Sequence, residues 1–311
     1  MSRIKTVFIV GPTASGKTGL GISLAEKFSG EIVSADSMQI YKGIHIASAA
    51  PDAEEMRGIP HHMLEFLDPS ISYSVADYVK AARVVIADIE KRGRLPLVVG
   101  GTGLYISSLA DNTEYTDEET DYLLRSSLES RFDRIGARQM LKELAEFDPD
   151  TAARLHPNNR RRIIRAFEVY KTTGKTVTEQ NELSHKGEEY IEPLLIGINY
   201  RDREKLYDRI NLRVDIMLES GLLEEAKTAL SKSGGAIQAI GHKELAGYIK
   251  GECTLEDAAE NLKRQTRRYA KRQLTWFNRD KRINWIYADE TEDLTKEAAS
   301  LIKEFLGKEE A

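Results

Sequence analysis

A single cysteine, Cys253, occurs in 311 residues. It cannot form an internal disulfide or a multi-cysteine zinc site, which fits a reducing compartment, and it reads as a small, half-buried side chain. Long apolar runs are also missing. None approaches the roughly 20 residues that span a bilayer, and the opening MSRIKTVFIVGPT reaches a glycine too soon for a signal peptide. A cytoplasmic protein without a membrane is expected. The chain has no basic excess either. Its 45 Lys and Arg stand against 50 Asp and Glu, a net charge of −5, so a nucleic-acid partner must be met by locally concentrated cations. With only 8 Pro, 22 Gly and a 41% hydrophobic content, collagen-like, coiled and disordered classes are excluded. Nothing calls for an obligate protein partner, and a monomer is expected.

What is present is an alternation of strand and helix patterns. Ile4–Val10 is a β-branched and aromatic run ending at Gly11-Pro12, and Lys17–Phe28 carries Leu20, Leu24 and Phe28 at helical spacing. Glu31–Ala35 and Leu95–Val99 are further apolar strands, with a helix over Tyr73–Arg92 between them. Pro193–Asn199 and Asn284–Tyr287 read as later strands. Buried apolar strands separated by helices predict an α/β fold with a parallel sheet and helices on both faces. From about Thr116 to Leu183 only helical patterns occur, broken at Asp148-Pro149, His156-Pro157 and Thr172-Thr173-Gly174. The expected organisation is a core over 1–115, a helical insertion over 116–190, and a second core part over 191–311 that includes a basic helix at Leu255–Phe277 and a short amphipathic one after Asp289.

Residues Gly11, Pro12, Thr13, Ala14, Ser15, Gly16, Lys17 and Thr18 match G-x-x-x-x-G-K-[ST] directly after a strand and at the start of a helix. Glycines let backbone N–H groups converge on phosphate oxygens, the helix N-terminus adds positive potential, Lys17 brings a mobile charge, and Thr18 can ligand Mg2+. Such a P-loop core binds a di- or triphosphate without reading what is attached to it. A nucleotide or small-molecule kinase with the insertion as lid is therefore one reading, and a nucleotide-gated RNA-binding switch another. Residues 263–282 hold nine Lys or Arg against one acid, with Tyr269, Trp276 and Phe277 interleaved. This excess is too local for average surface and predicts contact with nucleic-acid phosphates, through Arg268 and Arg272 among others. Arg160, Arg161, Arg162 and Arg165 form a second cluster in the insertion. His61 and His62 have no other His or Cys nearby and are assigned a structural or loop role.

Several further segments, taken in order, resemble the bacterial tRNA dimethylallyltransferase family: SADSMQIY at 34–41, His61-His62, GGTGLY at 100–105, RAFEVY at 165–170, QAIGHKE at 238–244 and TRRYAKRQLTWF at 266–277. Met38 and His242 stand where that family also carries other side chains. The resemblance spans residues 11 to about 278, and the lone cysteine cannot build the zinc finger of the eukaryotic branch. It implies displacement of diphosphate from dimethylallyl diphosphate by N6 of the adenosine beside the anticodon, in tRNAs that read codons starting with U. The P-loop amides, Lys17 and a magnesium ion held partly by Thr18 suit the departing diphosphate. By resemblance, Thr13 touches the bridging diphosphate oxygen and Arg213, four residues after Arg209 on a predicted helix, clamps the leaving group. Asp36, expected on the strand beside the P-loop, takes the proton of the attacking amine or belongs to the magnesium shell; both roles remain open. Asp36, Ser37, Met38 and Gln39 would line the channel for a base flipped out of the anticodon stem-loop, with Thr102 and Arg125 as further RNA contacts.

Overall fold

The computed structural model describes residues 3–115, 121–184, 189–231 and 239–307. Thr116 and Gln238, named above, lie outside them. In chain order the elements begin with β1 (Ile4–Val10), α1 (Lys17–Phe28), β2 (Gly30–Ser34), α2 (His45–Ser48), β3 (His61–His62), α3 (Val75–Lys91), β4 (Leu95–Gly100) and α4 (Gly103–Ala110). Four helices follow: α5 (Tyr122–Phe147), α6 (Pro149–Arg154), α7 (Arg160–Thr173) and α8 (Val177–Ser184). The chain then forms β5 (Ile191–Asn199), α9 (Arg203–Glu219), α10 (Leu222–Leu230), α11 (His242–Ile249), α12 (Leu255–Phe277), β6 (Asn284–Tyr287) and α13 (Leu294–Leu306). Two compact units result, one from 1–110 and 189–311, the other Asp111–Glu188.

In the first unit all six strands run parallel, in the order β3-β2-β4-β1-β5-β6. The side-chain period of two divides β1 between two cores. Val7 and Ile9 pack with Leu20, Leu24 and Ile302 of α1 and α13, while Phe8 and Val10 pack with Tyr78, Ile86 and Ile106 of α3 and α4. Burial on both faces explains the unbroken apolar reading of β1 and β4, and each such side chain contributes about 1.5–3 kcal/mol. One expectation is corrected by the strand order. β2, which leads to Asp36, is not beside β1, because β4 lies between them. Asp36 still reaches the phosphate loop, since both leave the carboxyl ends of their strands, where parallel sheets place their sites.

Local chemistry sets the ends of the elements. Ser74 and Thr254 form capping boxes with Asp77 and Asp257, which is why α3 begins two residues after the expected Tyr73. The buried Tyr78 hydroxyl donates to the Ser34 carbonyl at 3.0 Å and its ring stacks on Tyr105 at 3.9 Å, fixing where the chain leaves β2. Cys253 is exposed, contrary to its half-buried reading. It lies in the short turn just before the Thr254 cap, outside either helix's apolar face.

Every regular element among the described residues of the second unit is a helix. Asp121 caps α5 through the Leu124 amide at 2.9 Å, and α5 breaks at Gly136 (φ 78°) into two pieces. Met140, Leu144, Ile163, Ile164 and Phe167 form its core. Asp148, 2% exposed, accepts from the Thr151 amide at 3.1 Å and the Thr178 hydroxyl at 2.6 Å, joining α6 to α8. Burial opposes its ionisation, but these bonds outweigh it and hold its carboxyl below the usual range.

Candidate active site

The loop between β1 and α1 is shaped by two glycines. A Cβ on Gly11 would meet the Ile198 carbonyl oxygen at 2.5 Å, and Gly16 holds φ 95° as the residue preceding α1, a conformation that L side chains rarely adopt. The loop therefore curls back on itself, with the Ser15 amide donating to the Pro12 carbonyl at 3.3 Å. The first amides of α1 have no acceptor within the helix and face the loop's concavity, where the helix dipole adds to their field. Thr13, Lys17 and Thr18 line a cavity of about 280 Å³.

The cations around that cavity are arranged for an anion. Lys17 Nζ donates to the Pro12 carbonyl at 3.3 Å. Burial, with Arg213 adding and Asp36 opposing, lowers its pKa to about 8. The ammonium is thus mostly charged at neutral pH but poorly solvated, a state that a phosphate oxygen would relieve. Arg209 and Arg213 share one face of α9. Arg209 Nε donates to the Ala14 carbonyl at 2.9 Å, and Arg213 lines the cavity. Burial lowers the Arg213 pKa, with Asp36 and Glu55 opposing and Arg209 adding. Lys17, Thr18 and Arg213 also line a second cavity of about 550 Å³.

Opposite them stands Asp36. Its position follows from a close approach of β2 and β4: the Ala35 amide donates to Val99 at 2.9 Å, the Thr102 amide donates to Ala35 at 3.1 Å, and a Cβ on Gly100 would lie 2.2 Å from the Ala35 oxygen. Asp36 Oδ1 accepts from the Met38 amide at 2.9 Å, and the Ser37 amide donates to Thr102 Oγ1 at 2.9 Å. Asp36, Ser37, Met38 and Gln39 all line the cavity. The amide of Gln39 is engaged at both ends, accepting from Ser34 Oγ at 2.8 Å and donating to the Ala49 carbonyl at 3.1 Å.

The remaining candidates separate into exposed and engaged groups. Arg268 and Arg272 are exposed on α12, and Arg272 lines the cavity. Not all nine cations of the 263–282 stretch are available: Lys263 is tied to Asp215 at 2.8 Å and Arg282 to Asp280 at 2.6 Å. In the second unit Arg161 and Arg162 are exposed, whereas Arg125 and Arg165 both engage the buried Glu168, at 2.9 and 3.5 Å, and Arg160 pairs with Asp133. His62 is structural, meeting the buried Glu31 at 2.7 Å beside Arg92.

Several lining residues escaped the sequence. His61, expected as a structural or loop residue, pairs with Ile32 in the sheet and in addition lines the cavity. Its Nδ1 donates to the Ile59 carbonyl at 2.8 Å. Burial lowers its pKa, with that bond opposing and His62 adding, which favours the neutral ring. Tyr269 and Gln273 line the cavity from the inner face of α12, where period alone could have found them, since 262, 266, 269, 273 and 277 share one stripe. An apolar wall of Val214, Met217, Ile240 and Leu262 had no local signal, because it is assembled from separate helices and a loop. A cavity with a phosphate loop, the four cations Lys17, Arg213, Lys243 and Arg272, one carboxylate and an apolar wall can hold an anion-bearing apolar molecule and take a proton from what reacts with it.

The model of the IPP transferase family matches residues 39–280. The chain is 46% identical over 305 residues to the tRNA dimethylallyltransferase of Bacillus subtilis (strain 168), covering 97% of this chain and 96% of that protein. It is 46% identical over 293 residues to the tRNA dimethylallyltransferase of Caldanaerobacter subterraneus subsp. tengcongensis, covering 92% and 93%. Among solved structures, a full-length tRNA isopentenylpyrophosphate transferase from Bacillus halodurans superposes with a TM-score of 0.71 at 41% identity, covering 98% of this chain and 99% of that one. A eukaryotic dimethylallyltransferase acting on tRNA superposes with a TM-score of 0.83 at 30% identity, covering 99% and 80%.

Proposed function

We propose, from the premise that this chain belongs to the IPP transferase family, that it transfers a dimethylallyl group from dimethylallyl diphosphate to N6 of the adenosine beside the anticodon of tRNA. The single observation that carries the reading is that one cavity contains the phosphate loop, Asp36 and an apolar wall, the three environments that an allylic diphosphate and an attacking amine require. The relatives do not favour a phosphotransferase.

The donor's diphosphate lies against the loop amides, Lys17 and Arg213, and its tail against Val214, Met217 and Ile240. The C–O bond to diphosphate breaks as a C–N bond to N6 forms. Charge develops on the leaving oxygens, where Lys17, Arg213 and the Thr13 hydroxyl counter it. Asp36 takes the proton that N6 loses. Thr18 is the protein's donor for magnesium. No group of three or more His, Cys, Asp or Glu that could hold a metal ion occurs among the described residues; an ion beside Thr18 would take its other ligands from diphosphate oxygens and water. When bound, that ion would neutralise the departing diphosphate. The exposed cations of α12 and Arg161 and Arg162 meet tRNA phosphates, and the target base is flipped to reach Asp36. No helix of the described residues is long and apolar enough to cross a membrane, and we place the enzyme in the cytoplasm with its tRNA.

The test is incubation of unmodified tRNA with labelled dimethylallyl diphosphate and magnesium, without ATP, followed by nucleoside analysis. Label on adenosine with release of diphosphate is expected. Absence of transfer unless ATP is supplied would refute the proposal.

A further inference from the structure

The four-residue helix α2 does not cap its own first turn. Its N-cap residue is Ile44, which has no side-chain acceptor, and the acceptors come from Glu225 of α10, 179 residues beyond Ile46. Glu225 Oε2 accepts from the Ile46 amide at 2.8 Å and Oε1 from the Ala47 amide at 2.9 Å. Oε1 also accepts from Nε2 of the fully buried His242 at 3.0 Å. The Glu225 side chain is 11% exposed. Burial opposes its ionisation, but the bonds from His242, Ala47 and Ile46 outweigh it and hold the carboxyl below the usual range. At the other end of α2 the carbonyls of Ser48 and Ala49 accept from Gln39 Nε2 at 3.4 and 3.1 Å, while Gln39 Oε1 accepts from Ser34 Oγ at 2.8 Å. The Ser34 hydroxyl could serve either end of that amide. The two carbonyls can face only its NH2 group, so the end of α2 decides which way Gln39 points. Ala47 and Ser48 line the first cavity with Gln39, His45 and Ile46 line the second, and Ala49 and Pro51 line both.

We infer that Glu225, which lines neither cavity, is a positioning residue for the reaction: it anchors α2 as the wall shared by the two cavities and, through the carbonyls at the end of α2, holds Gln39 with its NH2 group consumed and its oxygen available. Gln39 Oε1 keeps a second lone pair beyond the bond from Ser34. The exocyclic amine of adenine is a donor, so a Gln39 that shows an acceptor suits it and one that shows NH2 opposes it. Without Glu225 the half-buried amides of Ile46 and Ala47 lose their acceptors, a cost that α2 relieves by shifting toward water. The Ser48 and Ala49 carbonyls move with it, and Gln39 is then free to turn over. Ile46 and Ala47 still pack against the core of Val214, Leu222 and Leu245, so α2 is misplaced and the fold is kept. The inference rests on the reading of the first cavity as the place where adenine meets the donor, but it concerns how Gln39 is held and not the group transferred.

The experiment compares the wild type, Glu225→Gln, Gln39→Ala and the double variant in single-turnover transfer to tRNA at saturating dimethylallyl diphosphate. Affinity for tRNA, thermal stability and hydrogen exchange are measured on the same full chains. Glu225→Gln keeps the size of the side chain but turns an NH2 group toward one of the two amides of α2. Exchange at Ile46 and Ala47 should rise by at least about tenfold, with the sheet unchanged. The transfer rate should fall by at least about tenfold because the base is misplaced, while tRNA affinity stays within about twofold because it rests on phosphate contacts elsewhere. In the Gln39→Ala background the same substitution should cost less than about twofold, since it acts through Gln39. Equal losses from Glu225→Gln in both backgrounds, or a rate that falls only as far as thermal stability and tRNA affinity fall with it, would make Glu225 a residue of the fold alone and overturn the inference. Unchanged exchange at Ile46 and Ala47, read on the protein without substrates, would overturn it as well. Faster exchange in Glu225→Gln together with a wild type that transfers nothing would support the anchoring of α2 and refute the transfer reading.

Discussion

Replacing Lys17 by Met should make the empty protein more stable and the enzyme inactive. Folding takes the ammonium into a site that solvates it less well than water does, and Arg213 nearby adds repulsion; the pKa falls from 10.5 to about 8. At about 1.36 kcal/mol per tenfold change in proton affinity, the charged side chain costs about 3 kcal/mol at pH 7. This figure is a ceiling, because the side chain is partly exposed and solvent screens it. The sign follows from linkage. Between pH 8 and 10.5 the unfolded lysine binds more protons than the folded one, so stability attributable to Lys17 rises with pH through that window, and the full cost is present below it. Met preserves the stem without the charge. Both tryptophans, Trp276 and Trp285, pack against the sheet core, so urea unfolding followed by their fluorescence reports the unit that holds Lys17. Lys17→Met should gain on the order of 1–3 kcal/mol over the wild type at pH 7, the gain should shrink toward pH 10, and pyrophosphate should stabilise only the wild type. A variant that is less stable at pH 7, or whose difference from the wild type does not change with pH, would refute the reasoning.

Asp36→Asn keeps the shape of the turn, including an oxygen for the Met38 amide, but removes the proton acceptor; single-turnover transfer should fall by at least about 10²-fold, with tRNA affinity little changed. A near-normal rate would exclude the base role. Neutralising Arg268 and Arg272 together should flatten the slope of log tRNA affinity against log salt by roughly one to two, at about 0.7–0.9 per phosphate contact; an unchanged slope would place the RNA on another face. Asp148→Ala removes the cap of α6 and the bonds to Thr178, and should destabilise the helical unit by about 1–2 kcal/mol. Circular dichroism on thermal unfolding would show this as an early loss of helix.

Much of this protein was legible before any coordinates. The phosphate loop announces itself because its chemistry is local: the glycines, Lys17 and Thr18 act through backbone conformation and a helix end within eight consecutive residues. The parallel sheet was legible because a strand buried on both faces has no polar alternation. The basic character of α12 was legible as composition, but which of its cations remain free was not, since Asp215, the partner of Lys263, comes from another helix. The two-residue β3 carries too few residues for any period, so the place of His61 in the sheet and at the cavity had no local signal. Strand order, which sets β4 between Asp36's strand and the phosphate loop, depends on crossover connections that no single segment encodes. The apolar wall of the cavity and the bond from Thr13 to Gln273, 260 residues apart, exist only once α9, α12 and the loop that carries Ile240 have packed. Hydrophobic burial is non-directional and long-range in sequence, so it was tertiary packing that chose which residues of these ordinary amphipathic helices would face the reacting groups.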